Sequence, residues 1–228
     1  FNVFFRGGRA AYMVQERRSD LYETNLNTTL NKQWNDNAKL TAGLSGRYTL
    51  SSQFNTVNDL LGTSFVLDVD RFAENDFRGN ENILQNDLQN PNRQVVVGDR
   101  FEYDFDTYIK SANLWLVNEH SSRQIDFYYG TRLTYTSFLR EGNMQNGRFP
   151  DESLGRGRSH EFVDYSFKAG MTYKVQGRHF ISANTNYMTE APLPNNAYIS
   201  PRFRDAVLSG LESGKVFASD LNYNFATK

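Results

Sequence analysis

From Tyr22 onward the chain alternates between apolar and polar positions. The even positions read Tyr22, Thr24, Leu26, Thr28, Leu30, Lys32 and Trp34, and the odd positions between them read Glu23, Asn25, Asn27, Thr29, Asn31 and Gln33. Successive side chains of a strand point to opposite faces, so this spacing predicts a strand with one largely apolar and one wholly polar face. Asn35-Asp36-Asn37 has the chemistry of a tight turn. The return strand sets Leu40, Ala42, Leu44, Gly46, Tyr48 and Leu50 against Thr41, Gly43, Ser45, Arg47, Thr49 and Ser51. Both runs exceed the five or six residues usual for globular strands. Both reach the length of about nine to eleven residues that a tilted strand needs to cross a bilayer. An arginine in the middle of the polar face suits a water-filled lumen.

The pattern returns downstream. Tyr108, Ala112, Leu114 and Leu116 lead to a connection at Glu119-His120-Ser121-Ser122, and Ile125, Phe127, Tyr129, Thr131, Leu133 and Tyr135 lead back. Val163, Tyr165, Phe167, Ala169, Met171 and Tyr173 precede a turn at Gln176-Gly177-Arg178; Ile181, Ala183, Thr185 and Tyr187 follow it, and Phe217, Leu221, Tyr223 and Phe225 make a last strand. Template matching of this kind predicts roughly seven strands. The connections near 36, 120 and 177 are short, whereas 52–101, 140–160 and 188–210 are long. Short and long connections in strict alternation are the mark of an outer-membrane barrel. The expected fold is therefore all-β: an antiparallel transmembrane β-barrel segment with short periplasmic turns and long extracellular loops. Tyr22, Trp34, Tyr48, Trp115, Tyr135, Tyr173 and Phe225 are placed to form interfacial girdles.

Composition narrows the choice. Aromatic residues make up 14% of the 228 residues, yet mean hydropathy is -0.65, as expected where every second side chain meets water. Net charge is -1, which gives no global field to attract nucleic acid. Cysteine is absent, so disulfides, thiolate metal sites and cysteine nucleophiles are excluded. No run of about eighteen apolar residues predicts a transmembrane helix. Phe1-Asn2-Val3-Phe4-Phe5-Arg6 does not read as a signal peptide. Seven strands leave two bare edges, and an odd count breaks the even number expected of a bacterial single-chain barrel; inside hydrocarbon each unsatisfied backbone group costs several kcal/mol. The chain is accordingly expected to be an internal portion of a larger barrel. A passive porin-like channel and a soluble carbohydrate-binding or adhesive β-sandwich are the competing readings.

Several strings carry a family resemblance. They are Asp59-Leu60-Leu61-Gly62, Asp68-Val69-Asp70-Arg71-Phe72-Ala73-Glu74, Asn86-Asp87-Leu88-Gln89-Asn90-Pro91-Asn92-Arg93 and Gly98-Asp99-Arg100-Phe101. His179-Phe180-Ile181-Ser182-Ala183-Asn184, Ile199-Ser200-Pro201-Arg202-Phe203-Arg204-Asp205 and the run from Gly210 to Leu221 belong with them. Together they resemble the barrel of TonB-dependent receptors, of the type with a carboxypeptidase-regulatory-like domain ahead of the plug. The resemblance implies a barrel of about 22 strands with a plugged lumen, importing a scarce nutrient with TonB-derived energy at the outer membrane of a Gram-negative bacterium. The partners it implies are outer-membrane lipid, the TonB complex reached through N-terminal parts, the plug and the remaining strands, with a surface lipoprotein as a candidate cap.

No catalytic constellation emerges. His120, His160 and His179 are far apart and lack metal-pair spacing. Asp68, Asp70, Glu74 and Asp76 lack the glycine and terminal glutamate of a calcium loop, and read as a solvated acidic loop. Gly155-Arg156-Gly157-Arg158 reads as a flexible loop. No phosphate loop or nucleophile elbow occurs, so neither an enzyme nor a cofactor is expected. Ligand recognition belongs to the loops. Loop 52–101 has apolar runs of its own at Leu60-Leu61, Phe65-Val66-Leu67 and Val95-Val96-Val97, long enough to fold as a hairpin or short helix at the rim. Its aromatic and charged residues Phe65, Asp68, Asp70, Arg71 and Phe72 are the candidates for substrate capture.

Overall fold

The computed structural model describes residues 8–70, 73–77, 79–175 and 177–226. In chain order the elements are β1 (Val14–Asn35), β2 (Ala38–Asp59), β3 (Val66–Leu67), α1 (Ala73–Asp76), β4 (Gln94–Val95), β5 (Arg100–Ser121), β6 (Ile125–Gly142), α2 (Pro150–Ser153), β7 (Gly155–Arg156), β8 (His160–Val175), β9 (His179–Glu190), α3 (Pro194–Ala197) and β10 (Gly214–Phe225). Seven long strands make one antiparallel sheet in the order β1-β2-β5-β6-β8-β9-β10, with β7 added beside β6. Each long strand pairs with its sequence neighbour in the sheet, as short hairpin turns require. The sheet is open, ending on β1 and β10, and only the β3–β4 ladder of two residues per strand stands outside it among the described residues.

Directly opposed residues share a face, so the register can be followed across the sheet. Leu30 pairs with Ala42, Ala42 with Leu116, Leu116 with Thr131 and Thr131 with Phe167. Phe167 then meets Tyr187, and Tyr187 meets Phe217. One face therefore stays in phase through all seven long strands. It is apolar and uncovered: Leu26 is 69% exposed, Leu44 55%, Leu133 52% and Leu221 75%. Tyr22, Tyr48 and Tyr135 lie toward the long-loop end of this belt, and Trp34, Tyr173 and Phe225 lie at the short-turn end, all exposed. With about 4.8 Å between strands and about 3.3 Å per residue, the belt covers on the order of 1,000 Å². Soluble monomers rarely expose contiguous apolar patches above a few hundred Å².

Trp115 departs from the expected girdle. It pairs with Gly43 and Arg132, which puts it on the polar face. There its ring fills the place of the missing Gly43 side chain; a Cβ on Gly43 would lie 2.5 Å from the indole. The neighbours Leu114 and Leu116 take the apolar face instead, as alternation demands.

The strands run further than the alternation indicated. β1 begins at Val14, eight residues before Tyr22, β2 continues to Asp59 and β5 begins at Arg100, so the first long connection is 60–99 rather than 52–101. The others are 143–159 and 191–213, and the second turn sits after Ser121. The third holds Gly177 at φ +69°, Gln176 lying outside the described residues.

In this upper part the sidedness of the sheet inverts. On the face that is polar lower down, Val57, Phe101, Phe105, Phe138 and Phe162 are all buried. The opposite face there carries Glu16, Arg18, Asp20, Thr56, Asp106 and Glu141. Phe54 is the exception on that outer side, and the guanidinium groups of Arg100 and Arg18 cover its ring at 3.6 and 5.3 Å.

The long loops supply what the upper inner face packs against. Loop 60–99 contributes Leu60, Val66 and Val95 to a cluster with Val57, Phe101 and Ala10. Where a hairpin or a short helix is expected, the loop has the two-residue β3–β4 ladder, closed across a long excursion, and the four-residue α1. Segment 191–213 folds inward and lays Ala197 and Tyr198 on Phe138 and Phe162. Arg140, 2% exposed, donates to the carbonyls of Ser153 at 2.9 Å and Pro201 at 2.5 Å, tying loops 143–159 and 191–213 to β6. Gly147 N–H reaches the Gln85 carbonyl at 2.8 Å, and a Cβ there would lie 1.8 Å from the Asn82 oxygen, so only glycine allows these two loops to touch. The loop expected to be flexible at Gly155-Arg156-Gly157-Arg158 is partly ordered as β7, with Gly155 and Arg156 paired to Gly142 and Glu141.

Candidate functional site

Where the first and longest loop meets the sheet, a cavity of about 680 Å³ opens toward the loop end. β1 and the residue before it supply Met13, Gln15 and Arg17. Loop 60–99 supplies Leu67, Val69, Asp70 and Asn86, and Arg148 and Phe203 reach in from the other two loops. Phe101 and Glu102 complete it from the start of β5.

A bulge in β5 makes this possible. Phe54 pairs with Asp104 but Asn55 pairs with Phe101, so two residues of β5 have no opposite number in β2. Glu102 within the bulge has φ +66°, unusual for a residue with a side chain. That conformation is held from both ends. The Glu102 N–H donates to Asp68 Oδ1 at 2.8 Å, and its carboxylate accepts from Asn55 Nδ2 at 2.7 Å. Asn55, fully buried, also donates to Gln15 Oε1 at 3.2 Å, so a hydrogen-bonded line crosses β5, β2 and β1 beneath the cavity.

The five residues expected to capture ligand occupy different places. Asp70 lines the cavity and faces Arg148 at 3.6 Å. Asp68 lies beneath, 2% exposed, and accepts from Asn86 at 2.8 Å and Arg93 at 2.9 Å as well as from Glu102. It fastens the loop to the bulge rather than facing solvent, which corrects the solvated reading for Asp68, while Asp76 is exposed as that reading expects. Phe65 is half-buried away from the cavity, bridged to Arg9, with its carbonyl accepting from Ala10 N–H at 2.7 Å. Arg71 and Phe72 lie outside the described residues.

Gln15, Arg17, Glu102, Arg148 and Phe203 were not legible as site residues. They come from four separate stretches, and only the fold brings them together. The cavity pairs two cations, Arg17 and Arg148, with two carboxylates, Asp70 and Glu102, against apolar walls of Met13, Leu67, Phe101 and Phe203. Such a surface orients a ligand by charge and encloses it by area. Among the described residues no three His, Cys, Asp or Glu side chains converge on a metal-sized point. Nearby, burial pushes the Tyr198 phenol in the inward-folded segment up to about 12.

Comparison of the chain with protein-family models and with curated proteins gave no match.

Proposed function

We propose that this chain is wall and mouth of an outer-membrane β-barrel, part of an active transporter of the TonB-dependent kind that imports a scarce nutrient. The observation that carries the reading is the inversion of sidedness along single strands. Below, the outer face is apolar and the inner face polar; above, the outer face is polar and the inner face is packed under loops. A wall with oil outside and water inside, continuing into water with its mouth filled by loops, needs that inversion. A soluble sheet has no reason to reverse its faces halfway along.

Dimensions support it. The apolar run from Tyr22 to Trp34 rises roughly 28 Å at about 3.3 Å per residue and about 45° of tilt. Outer-membrane barrels carry an apolar band about 25 Å tall between aromatic girdles. The bare edges of β1 and β10 call for further strands, since a barrel in lipid must close. Among the described residues the only other sheet is the two-residue β3–β4 ladder, which does not cover the belt as a sandwich would require.

Fractionation tests the location: the protein should sediment with outer membranes and need detergent to leave them. Recovery in the aqueous phase without detergent would end the proposal. Planar-bilayer recording of the closed barrel, assembled with its plug and remaining strands, tests the transport mode. A plugged, energy-dependent importer stays closed in a passive bilayer, whereas steady open-channel current would move the protein to the porin-like class.

A further inference from the structure

Segment 191–213 roofs a second cavity, of about 410 Å³, on the polar face of the sheet below the mouth. Arg47 enters it from β2, Arg132 from β6, Asp164 from β8 and Glu190 from the end of β9. Between these charges the lining is mostly amides, hydroxyls and the roof prolines, and no aromatic ring lines the cavity.

Asp164 is the decisive group. It is 3% exposed, and neither of its carboxylate oxygens has a hydrogen-bond partner among the described residues. The other buried carboxylates differ. Asp68 accepts from Asn86, Arg93 and Glu102, and Asp87 accepts from Gln89, Asn90 and Gln145. A buried carboxylate without donors is expensive unless an ammonium group or another donor meets it. Among the described residues, no ion pair within 4.0 Å involves Asp164, Glu190, Arg47 or Arg132.

Sheet order sorts these charges. Across β2-β5-β6-β8-β9 both arginines precede both carboxylates. At about 4.8 Å per strand, Asp164 lies roughly 5 Å across the sheet from the Arg132 strand and roughly 14 Å from the Arg47 strand. The cavity is thus a dipolar slot, negative toward β8 and β9 and positive toward β6 and β2, with the amide and hydroxyl groups of β5 between the two arginines.

We infer that this slot binds a small peptide-like zwitterion, with its ammonium group on Asp164 and its carboxylate toward Arg47. A ligand of three residues extends roughly 10 Å, which the arginine side chain makes up to the strand separation. Asn113 and Ser111 of β5 lie between the two ends of the slot, where the ligand's amides lie. The inference rests on the transporter reading for its purpose, since a slot on the inner wall below the mouth is a station on an import path.

The test is calorimetric titration of the full chain in detergent micelles with triglycine, N-acetyltriglycine and triglycinamide. Triglycine binds saturably, and removing its ammonium group by acetylation weakens binding at least tenfold. Asp164→Asn weakens triglycine by a similar factor and removes the preference over N-acetyltriglycine. Arg47→Gln removes the preference over triglycinamide, and this exposed position carries the test should the Asp164 variant not fold. No saturable triglycine binding, or full-strength binding by a folded Asp164→Asn protein, overturns the inference. Triglycine binding by a protein that fractionates without membranes removes the transporter reading and keeps the slot.

Discussion

The lower and upper halves of the same strands solve opposite problems. In the lower half Leu26, Leu30 and Leu44 stand exposed on one face, while Asn25, Asn27 and Ser45 hold the other. In the upper half Phe138 is 1% exposed on the inner face under segment 191–213, and Val57, also 1% exposed, lies under loop 60–99. The strands run through both, although the β5 bulge interrupts the β2–β5 ladder near the top. What changes is which face carries the apolar side chains and whether they are covered. The lower half draws its order from its ladder and its surroundings; the upper half has a core of its own.

The largest expected effect strikes that core. Phe138→Ala removes the ring on which Phe162 and Tyr198 rest at 5.7 and 5.9 Å and should cost about 3–5 kcal/mol of local stability. Because segment 191–213 sits on that ring, limited proteolysis should cut it much faster, while belt residues stay protected. Equal cleavage of variant and wild type would mean the segment is held without this core.

Next comes a charge in the belt. Leu44→Arg should destabilise the protein in lipid vesicles by about 2–4 kcal/mol, as for cations near the bilayer midplane, whereas Ser45→Arg on the polar face should change little. Denaturant titration in vesicles separates the two. Similar losses for both variants would falsify the two-sided assignment of β2.

Two glycines sharpen the contrast further. Gly147→Ala brings a methyl against the Asn82 backbone oxygen, so two loops must part, at about 1–3 kcal/mol. Gly43→Ala meets only the Trp115 side chain, which can rotate away, and should cost less. Indole fluorescence should shift in the second variant and not in the first. The smallest effect belongs to the exposed Lys39–Glu119 pair at 3.8 Å near the short turns, where Lys39→Ala should change stability by less than about 1 kcal/mol.

The alternation announced the lower half well. Leu40 to Leu50 and Val163 to Tyr173 are apolar on every second position because one uniform face runs the length of the belt. In the upper half that signal fails for a physical reason. The phase of β2 turns over between Leu50 and Val57, so Ser52-Gln53-Phe54-Asn55-Thr56-Val57 satisfies neither face and reads as loop. Arg17, Arg18, Ser19 and Asp20 of β1 carry no apolar signal at all; pairing with Asn55, Phe54, Gln53 and Ser52 of β2 makes them strand. The mouth was legible in part. Charge density drew attention to Asp68 and Asp70, but density does not say that Asp68 is spent on Arg93, Asn86 and Glu102 while Asp70 faces the cavity. Nor does any local pattern mark a two-residue bulge at Glu102.

By itself the sequence determined the all-β class, the short and long connections and the lower strands, because period-two alternation and turn chemistry are local properties that neighbours along the chain express. Only the tertiary structure decided the inversion of the faces, the inward fold of segment 191–213, and the meeting of Arg17, Asp70, Glu102 and Arg148 around one cavity. Those depend on register, on a bulge and on contacts between residues more than sixty positions apart, where burial is set by what lands opposite a side chain and not by what precedes it.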